Sequence, residues 1–160
     1  MLLRAYAEAD LALTLALETD PAAMAQLGGP RPPEAVHRAH RSRLAEPLWC
    51  TVAETPEGPG IGTIGAWATE HDGERLYEVG WMVLPAFHGR GIAGRALGLL
   101  LGRVRDAPWI DRVHAYPAVG NAASNRLCDR AGFAQLGVVD FPFAGQTLRC
   151  NHRALDTPAG

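Results

Sequence analysis

Val79-Gly80-Trp81-Met82-Val83-Leu84-Pro85-Ala86-Phe87-His88-Gly89-Arg90-Gly91-Ile92-Ala93 decides how the rest of this chain is read. Its first part alternates. Tyr77, Val79, Trp81 and Val83 fall on one face of an extended segment, and Glu78, Gly80 and Met82 fall on the other. Pro85 ends the strand because it has no backbone N–H to donate. After the glycine turn, Ala93, Ala96, Leu97, Leu100, Leu101 and Val104 recur at intervals of three and four, which predicts a helix packed on a sheet. Glycines let backbone amides approach a phosphate closely, and the helix that follows presents its positive N-terminal end. A strand, a glycine turn and a helix in that order suit a phosphate-bearing ligand, or a plain turn with no ligand at all.

Gly89-Arg90-Gly91-Ile92-Ala93-Gly94 also fits the G-x-G-x-x-G fingerprint of dinucleotide folds, and Asp111 lies near that fingerprint's acidic position. Three features exclude it. Pro85-Ala86-Phe87-His88 separates the loop from its strand. Two hairpin-like strands precede it, and too little chain follows for a second mononucleotide half.

Outward from the loop, Leu48–Glu54 and Ile61–Thr69 read as an antiparallel hairpin around Thr55-Pro56-Glu57-Gly58-Pro59-Gly60. The turn His71-Asp72-Gly73-Glu74 leads into the strand Leu76–Leu84. Arg112–Tyr116 reads as a strand and Asn121–Ala131 as a helix stopped by Gly132. Ala134–Phe141 and Gln146–Leu155 form a last strand pair. Before the hairpin stand a short strand, Leu2–Ala5, and a helix to Glu18 with Asp10 as its N-cap. The break Gly28-Gly29-Pro30-Arg31-Pro32-Pro33 opens a basic helix to Ala45. The order predicts an α/β fold with a mixed, mostly antiparallel sheet. Its central parallel pair joins Leu76–Leu84 to Arg112–Tyr116 by a right-handed crossover.

The chain has 160 residues, 48% hydrophobic and 20% charged, which suits one soluble domain over residues 1–160. A net charge of -2 argues against nucleic acid as a partner. Cys50, Cys128 and Cys150 are odd in number and widely spaced, with no CxxC, and the six histidines form no HExxH. Free thiols, a reducing compartment and no metal are expected. Glu8 and Asp10 interrupt any signal-like run, and no stretch has membrane-spanning length. The cytoplasm is the expected location, and the Ala, Gly, Arg and Leu richness suits a bacterium with a GC-rich genome.

Val79 to Ala93 resembles the strand-and-loop signature of the GNAT-type N-acetyltransferase superfamily, with Gly91 and Ala93 on the pattern Gln/Arg-x-x-Gly-x-Gly/Ala and His88 where Gln or Arg is usual. Asn121-Ala122-Ala123-Ser124 and Gly132-Phe133 resemble its second signature, in a form most like the ribosomal-protein N-terminal (Rim-type) branch. The resemblance implies a GNAT-like sheet split between its two parallel strands. It implies acetyl-CoA as acyl donor, with the pantetheine arm on Trp81-Met82-Val83 and the pyrophosphate on His88, Gly89, Arg90, Gly91, Ile92, Ala93 and Gly94. It also implies direct transfer to a primary amine of a small molecule or a protein N-terminus, and it leaves room for a homodimer. A non-catalytic acyl-CoA-binding module is the competing expectation. It is kept open because Cys128 stands where many members carry the Tyr that protonates the thiolate.

Glu78 is the candidate base, since a carboxylate in an apolar strand has a raised pKa and can accept an amine proton. It could equally be a structural carboxylate paired with Arg or backbone groups. Ser124 is a candidate contact to the CoA sulfur, or a hydroxyl bonded to its own helix. Cys128 is a candidate acid, or a small buried hydrophobe. Asn121 can cap its helix, bond the pantetheine, or do both. Arg38, Arg41, Arg43, His37 and His40 form either an acceptor-recognising face or a solvated one. Trp49, Trp67 and Trp81 are expected in the core or the cleft wall.

Overall fold

The computed structural model describes residues 1–157. Its strands are β1 (Leu2–Ala5), β2 (Trp49–Ala53), β3 (Gly60–His71), β4 (Glu74–Val83), β5 (Arg112–Ala115), β6 (Ala134–Phe143) and β7 (Gln146–Asp156). Its helices are α1 (Leu11–Glu18), α2 (Pro33–Arg43), α3 (Ile92–Arg105) and α4 (Ala122–Ala131). Among the described residues the strands form one sheet in the order β1-β2-β3-β4-β5-β7-β6. Only β4 and β5 run parallel, because α3 carries the chain back between them. The expected mixed sheet with a central parallel pair is therefore the observed one.

Two turns set the long hairpins. Asp72 and Gly73 both have positive φ (51° and 80°), and so do Ala144 and Gly145 (50° and 79°). That handedness matches the twist of the flanking strands and fixes two-residue connections. It carries β3 and β6 two residues further than the sequence pattern suggests, to His71 and Phe143.

One sheet face packs on α3. Ala96, Leu97, Leu100, Leu101 and Val104 bury against Ile64, Val79 and Val113 in one continuous core. The stripe differs by one residue from that expected: Ile92 is buried, whereas Ala93 is only partly so. On the opposite face α2 lays Arg43 on Trp49, its guanidinium 4.5 Å from the ring centre. Asp10 holds the N-cap position of α1 but makes no side-chain cap bond. Its carboxylate instead accepts two bonds from Arg4, at 2.6 and 2.8 Å, and one from the Ala7 amide. Asn121 does cap α4, accepting from the Ser124 amide at 3.1 Å, and Gly132 ends that helix at φ 86°.

Leu100 has no exposed surface and sits in the middle of the α3 stripe. Leu100→Ala is expected to cost about 2–5 kcal/mol, the usual range for a buried leucine truncated to alanine. Urea denaturation of the two proteins measures it, and a loss under about 1 kcal/mol would show that this core is not what holds α3 to the sheet.

Candidate active site

β4 and β5 pair at two positions only, Tyr77 with Val113 and Glu78 with His114. Beyond them the strands part. β5 ends at Ala115 and Pro117 follows, while β4 runs on to Val83, paired with β3 alone. The Leu84 amide bonds Ile61 O on the β3 side. By alternation, Trp81 and Val83 turn their backbone groups toward the gap. A cavity of about 1420 Å³ runs through this gap, lined by Glu78, Met82 and Val83 on one side and by Tyr116, Asn121 and Ser124 on the other.

The glycine turn forms the cavity's mouth. Gly89 and Gly91 hold positive φ, 74° and 69°. Gly91 is the N-cap of α3 and offers no side chain to the first-turn amides. A Cβ at Gly91 would approach only the Arg95 side chain, and one at Gly89 would meet nothing. The amides opening α3 therefore lie uncovered at the positive end of a fourteen-residue helix, a setting that fits a pyrophosphate. His88 ties the turn to the strand, its Nε2 lying 2.7 Å from Val83 O, the carbonyl it donates to. The Val83 amide and both Trp81 backbone groups are left facing the gap.

Glu78 stands at the vertex where the strands part, on the face opposite α3. Burial pushes its carboxyl up from the usual 4.5 to about 7. Two histidines and a tyrosine share its face. His114 is its register partner, and His114 Nδ1 lies 2.8 Å from His152 Nε2. The Tyr116 hydroxyl lies 3.3 Å from the same His152 nitrogen, and the Tyr116 and His152 rings stack at 4.8 Å. Burial lowers both imidazoles, which favours their neutral forms. Burial, then the charge of Glu78, pushes Tyr116 up to about 12. Among the described residues no trio of His, Cys, Asp or Glu is arranged to hold a metal ion, and no helix is long and apolar enough to cross a membrane.

The sequence model for the acetyltransferase (GNAT) domain matches residues 1–134. The chain belongs to the GNAT acetyltransferase family. No curated protein sequence matches it significantly. Solved structures share the GNAT fold across nearly the whole chain. A GNAT-family acetyltransferase from Bacillus anthracis has a TM-score of 0.79 at 19% identity, covering 97% of this chain and 93% of its own. Ribosomal-protein-alanine N-acetyltransferase from Brucella melitensis has a TM-score of 0.77 at 24% identity, covering 98% and 99%. Spermidine N-acetyltransferase from Vibrio cholerae, solved with CoA and spermine, has a TM-score of 0.76 at 16% identity, covering 97% and 94%.

Within the GNAT frame, most residues singled out from the sequence meet at one cavity. Glu78, Met82, Val83, His88, Gly89, Gly91, Ile92, Ala93, Gly94, Asn121 and Ser124 all line it. Two do not. The Arg90 guanidinium lies over Phe87 at 5.1 Å and reaches Glu54 at 3.5 Å, away from the wall. Cys128 is fully buried among core residues, and that burial pushes its thiol up to about 11. Ser124 makes a bond the sequence did not suggest: its Oγ accepts from Trp81 Nε1 at 3.3 Å, which leaves its own proton free to donate. His114, Tyr116 and His152 went unread. The alternation of His114 on β5 and Tyr116 just after it marks a shared face, but only the strand pairing puts that face beside Glu78.

The raised carboxyl of Glu78 has a consequence for stability. Between about 4.5 and 7 the folded chain binds more protons than the unfolded chain, so stability is full at low pH and is lost as pH rises through about 7. Glu78→Gln is neutral at every pH and escapes this loss. Its melting temperature is expected to gain on that of the unchanged protein from about pH 5 to about pH 8 and then level off. A difference between the two that does not vary with pH would show Glu78 to be ionised or solvated throughout.

Proposed function

We propose that this protein is an acetyl-CoA-dependent N-acetyltransferase that moves an acetyl group directly to a primary amine. The observation that carries this is the place of Glu78. It is a carboxyl raised to about 7, at the vertex of the β4–β5 gap, on the wall of the one cavity that the glycine turn also lines. An acid with a pKa near the working pH is the best compromise between being deprotonated and being basic.

The chain's own groups divide the work. The amides opening α3 hold the pyrophosphate, and the backbone of Trp81 and Val83 pairs with the pantetheine arm. Acetyl-CoA supplies the activated acyl group when bound. Glu78 accepts the proton that the amine nitrogen loses on attack, directly or through water. Ser124 is oriented by the Trp81 indole and donates toward the departing sulfur. Asn121 fixes the start of α4 and with it the position of Ser124. Cys128 lies in the core and takes no part. The cytoplasm suits three buried free thiols. The Asn121-x-x-Ser124 form keeps the Rim-type branch in view, but structures named for ribosomal protein, aminoglycoside and spermidine acetylation have TM-scores between 0.76 and 0.77. Their likeness to this chain does not choose among acceptors.

Gly91→Asp adds a side chain at positive φ and a negative charge beside the phosphates. It is expected to abolish the rise in melting temperature that acetyl-CoA gives the unchanged protein; an undiminished rise would sink the loop assignment. Glu78→Gln keeps the shape but cannot take the proton. Its kcat is expected to fall about 10²–10⁴-fold, with KM for acetyl-CoA little changed and the deficit shrinking as pH approaches the pKa of the amine. A stable Glu78→Gln protein with near-normal turnover at pH about 7 would move the base role to water or another group.

A further inference from the structure

The cavity wall opposite α3 is a floor of two indoles seated on glycines. A Cβ at Gly65 would lie 2.5 Å from the Trp49 ring, and one at Gly80 would lie 2.8 Å from the Trp67 ring. The two rings are 4.9 Å apart and tilted at 45°. Arg43 covers Trp49. Trp67 stands directly across the β3–β4 ladder from Glu78, on the same face. An indole laid flat beside the candidate base is thus fixed by the register and by the absence of a side chain on the next strand.

The walls above this floor are also apolar. Phe141, Phe143 and Leu148 come from the β6–β7 hairpin, and Leu27 from the segment before α2. These two segments are tied together. Gln146 Nε2 donates to Gly28 O at 2.7 Å, and the Arg31 guanidinium lies over Phe143 at 5.9 Å.

Carboxylates that could receive extra cationic groups are few. Glu18 is buried, and both its oxygens are engaged, one by Arg31 at 2.5 Å and the other by Arg43. Of the acidic residues on the cavity wall, only Glu46 and Glu78 form no ion pair. A polyamine or an aminoglycoside would bring several spaced ammonium groups to a chamber faced with rings. Aromatic and apolar walls with a few placed polar groups suit a flat apolar ligand instead.

Given the amine-transfer reading above, we propose that the acceptor is a small primary amine carrying an aromatic ring a few bonds from its nitrogen, with the ring on Trp67 and the nitrogen beside Glu78. The nitrogen forms its bond to the acetyl carbonyl carbon while the carbon–sulfur bond breaks. Its proton passes to Glu78 and on to solvent, while the sulfur leaves with the bonding electrons and takes up, through the Ser124 hydroxyl, a proton that solvent replaces. The products are an aromatic acetamide and free CoA thiol.

The test joins turnover to binding. With acetyl-CoA present, tryptamine, phenethylamine, butylamine, spermidine, kanamycin and a short peptide with a free N-terminus are compared by kcat/KM, and by quenching of tryptophan fluorescence where the amine does not itself fluoresce. The aromatic amines are expected to exceed butylamine, spermidine and kanamycin by about tenfold or more in kcat/KM. Trp67→Leu is expected to cut the preference for phenethylamine over butylamine to under about threefold, while acetyl-CoA still raises the melting temperature. Phe143→Ala tests the opposite wall in the same way should Trp67→Leu fail to fold. Saturable quenching by phenethylamine without acetylation of any amine would keep the acceptor class and sink the transfer reading. Spermidine, kanamycin or the peptide outranking the aromatic amines, or butylamine matching them, would overturn the proposal. So would the absence of saturable phenethylamine binding in a protein that binds acetyl-CoA.

Discussion

The site depends on β4 and β5 being hydrogen-bonded partners at only two positions. A parallel pair that continued would fill both strand edges and leave no passage through the sheet. Here β5 is four residues long and is followed within two residues by a proline, so the ladder stops at Glu78 and His114. The backbone of Trp81 and Val83 is left facing a gap, and that same gap joins the two faces of the sheet. On one side lies the core of α3 and the uncovered amides at its start. On the other lie the indoles, the imidazoles and the hairpin. Glu78 sits where the two meet, so its desolvation follows from the fold and needs no special partner.

The glycine turn and the strand before it were legible because their signals are local. Alternation sets the faces of β4, Pro85 ends it, and the three-and-four spacing of Ala96, Leu97, Leu100, Leu101 and Val104 sets the face of α3. The acceptor side was not legible in this way. Trp49 and Trp67 are separated in sequence from the strand positions that matter to them, and only the register shows that Trp67 faces Glu78 across the ladder. The glycine at position 80 is a seat for Trp67, a fact that requires two strands to be placed first. His152 lies 38 residues from His114 and reaches it only because β7 inserts between β5 and β6.

Cys128 and Ser124 show the same limit on a helix. Both lie on α4, four residues apart, and sequence position alone recommended each for the sulfur. Ser124 meets Trp81 and the cavity with a polar group, while Cys128 is buried in the same hydrophobic core as α3. Four residues normally share a helix face. The difference lies in burial: Ser124 is part-buried at the cavity and Cys128 has no exposed surface.

The terminal hairpin of β6 and β7 builds a different part of the cavity from the glycine turn. The stretch shared with the family model ends at residue 134, where β6 begins. Everything that builds the phosphate end of the cavity lies within that stretch. Phe141, Phe143, Leu148 and the Gln146 tie to Gly28 lie beyond it. β7 also covers the edge of β5, pairing with it from Arg112 with Asp156 to Ala115 with Arg153. Among the described residues β7 is held on two sides, by β5 and by β6, whereas β6 has a strand on one side only and leaves its other edge open.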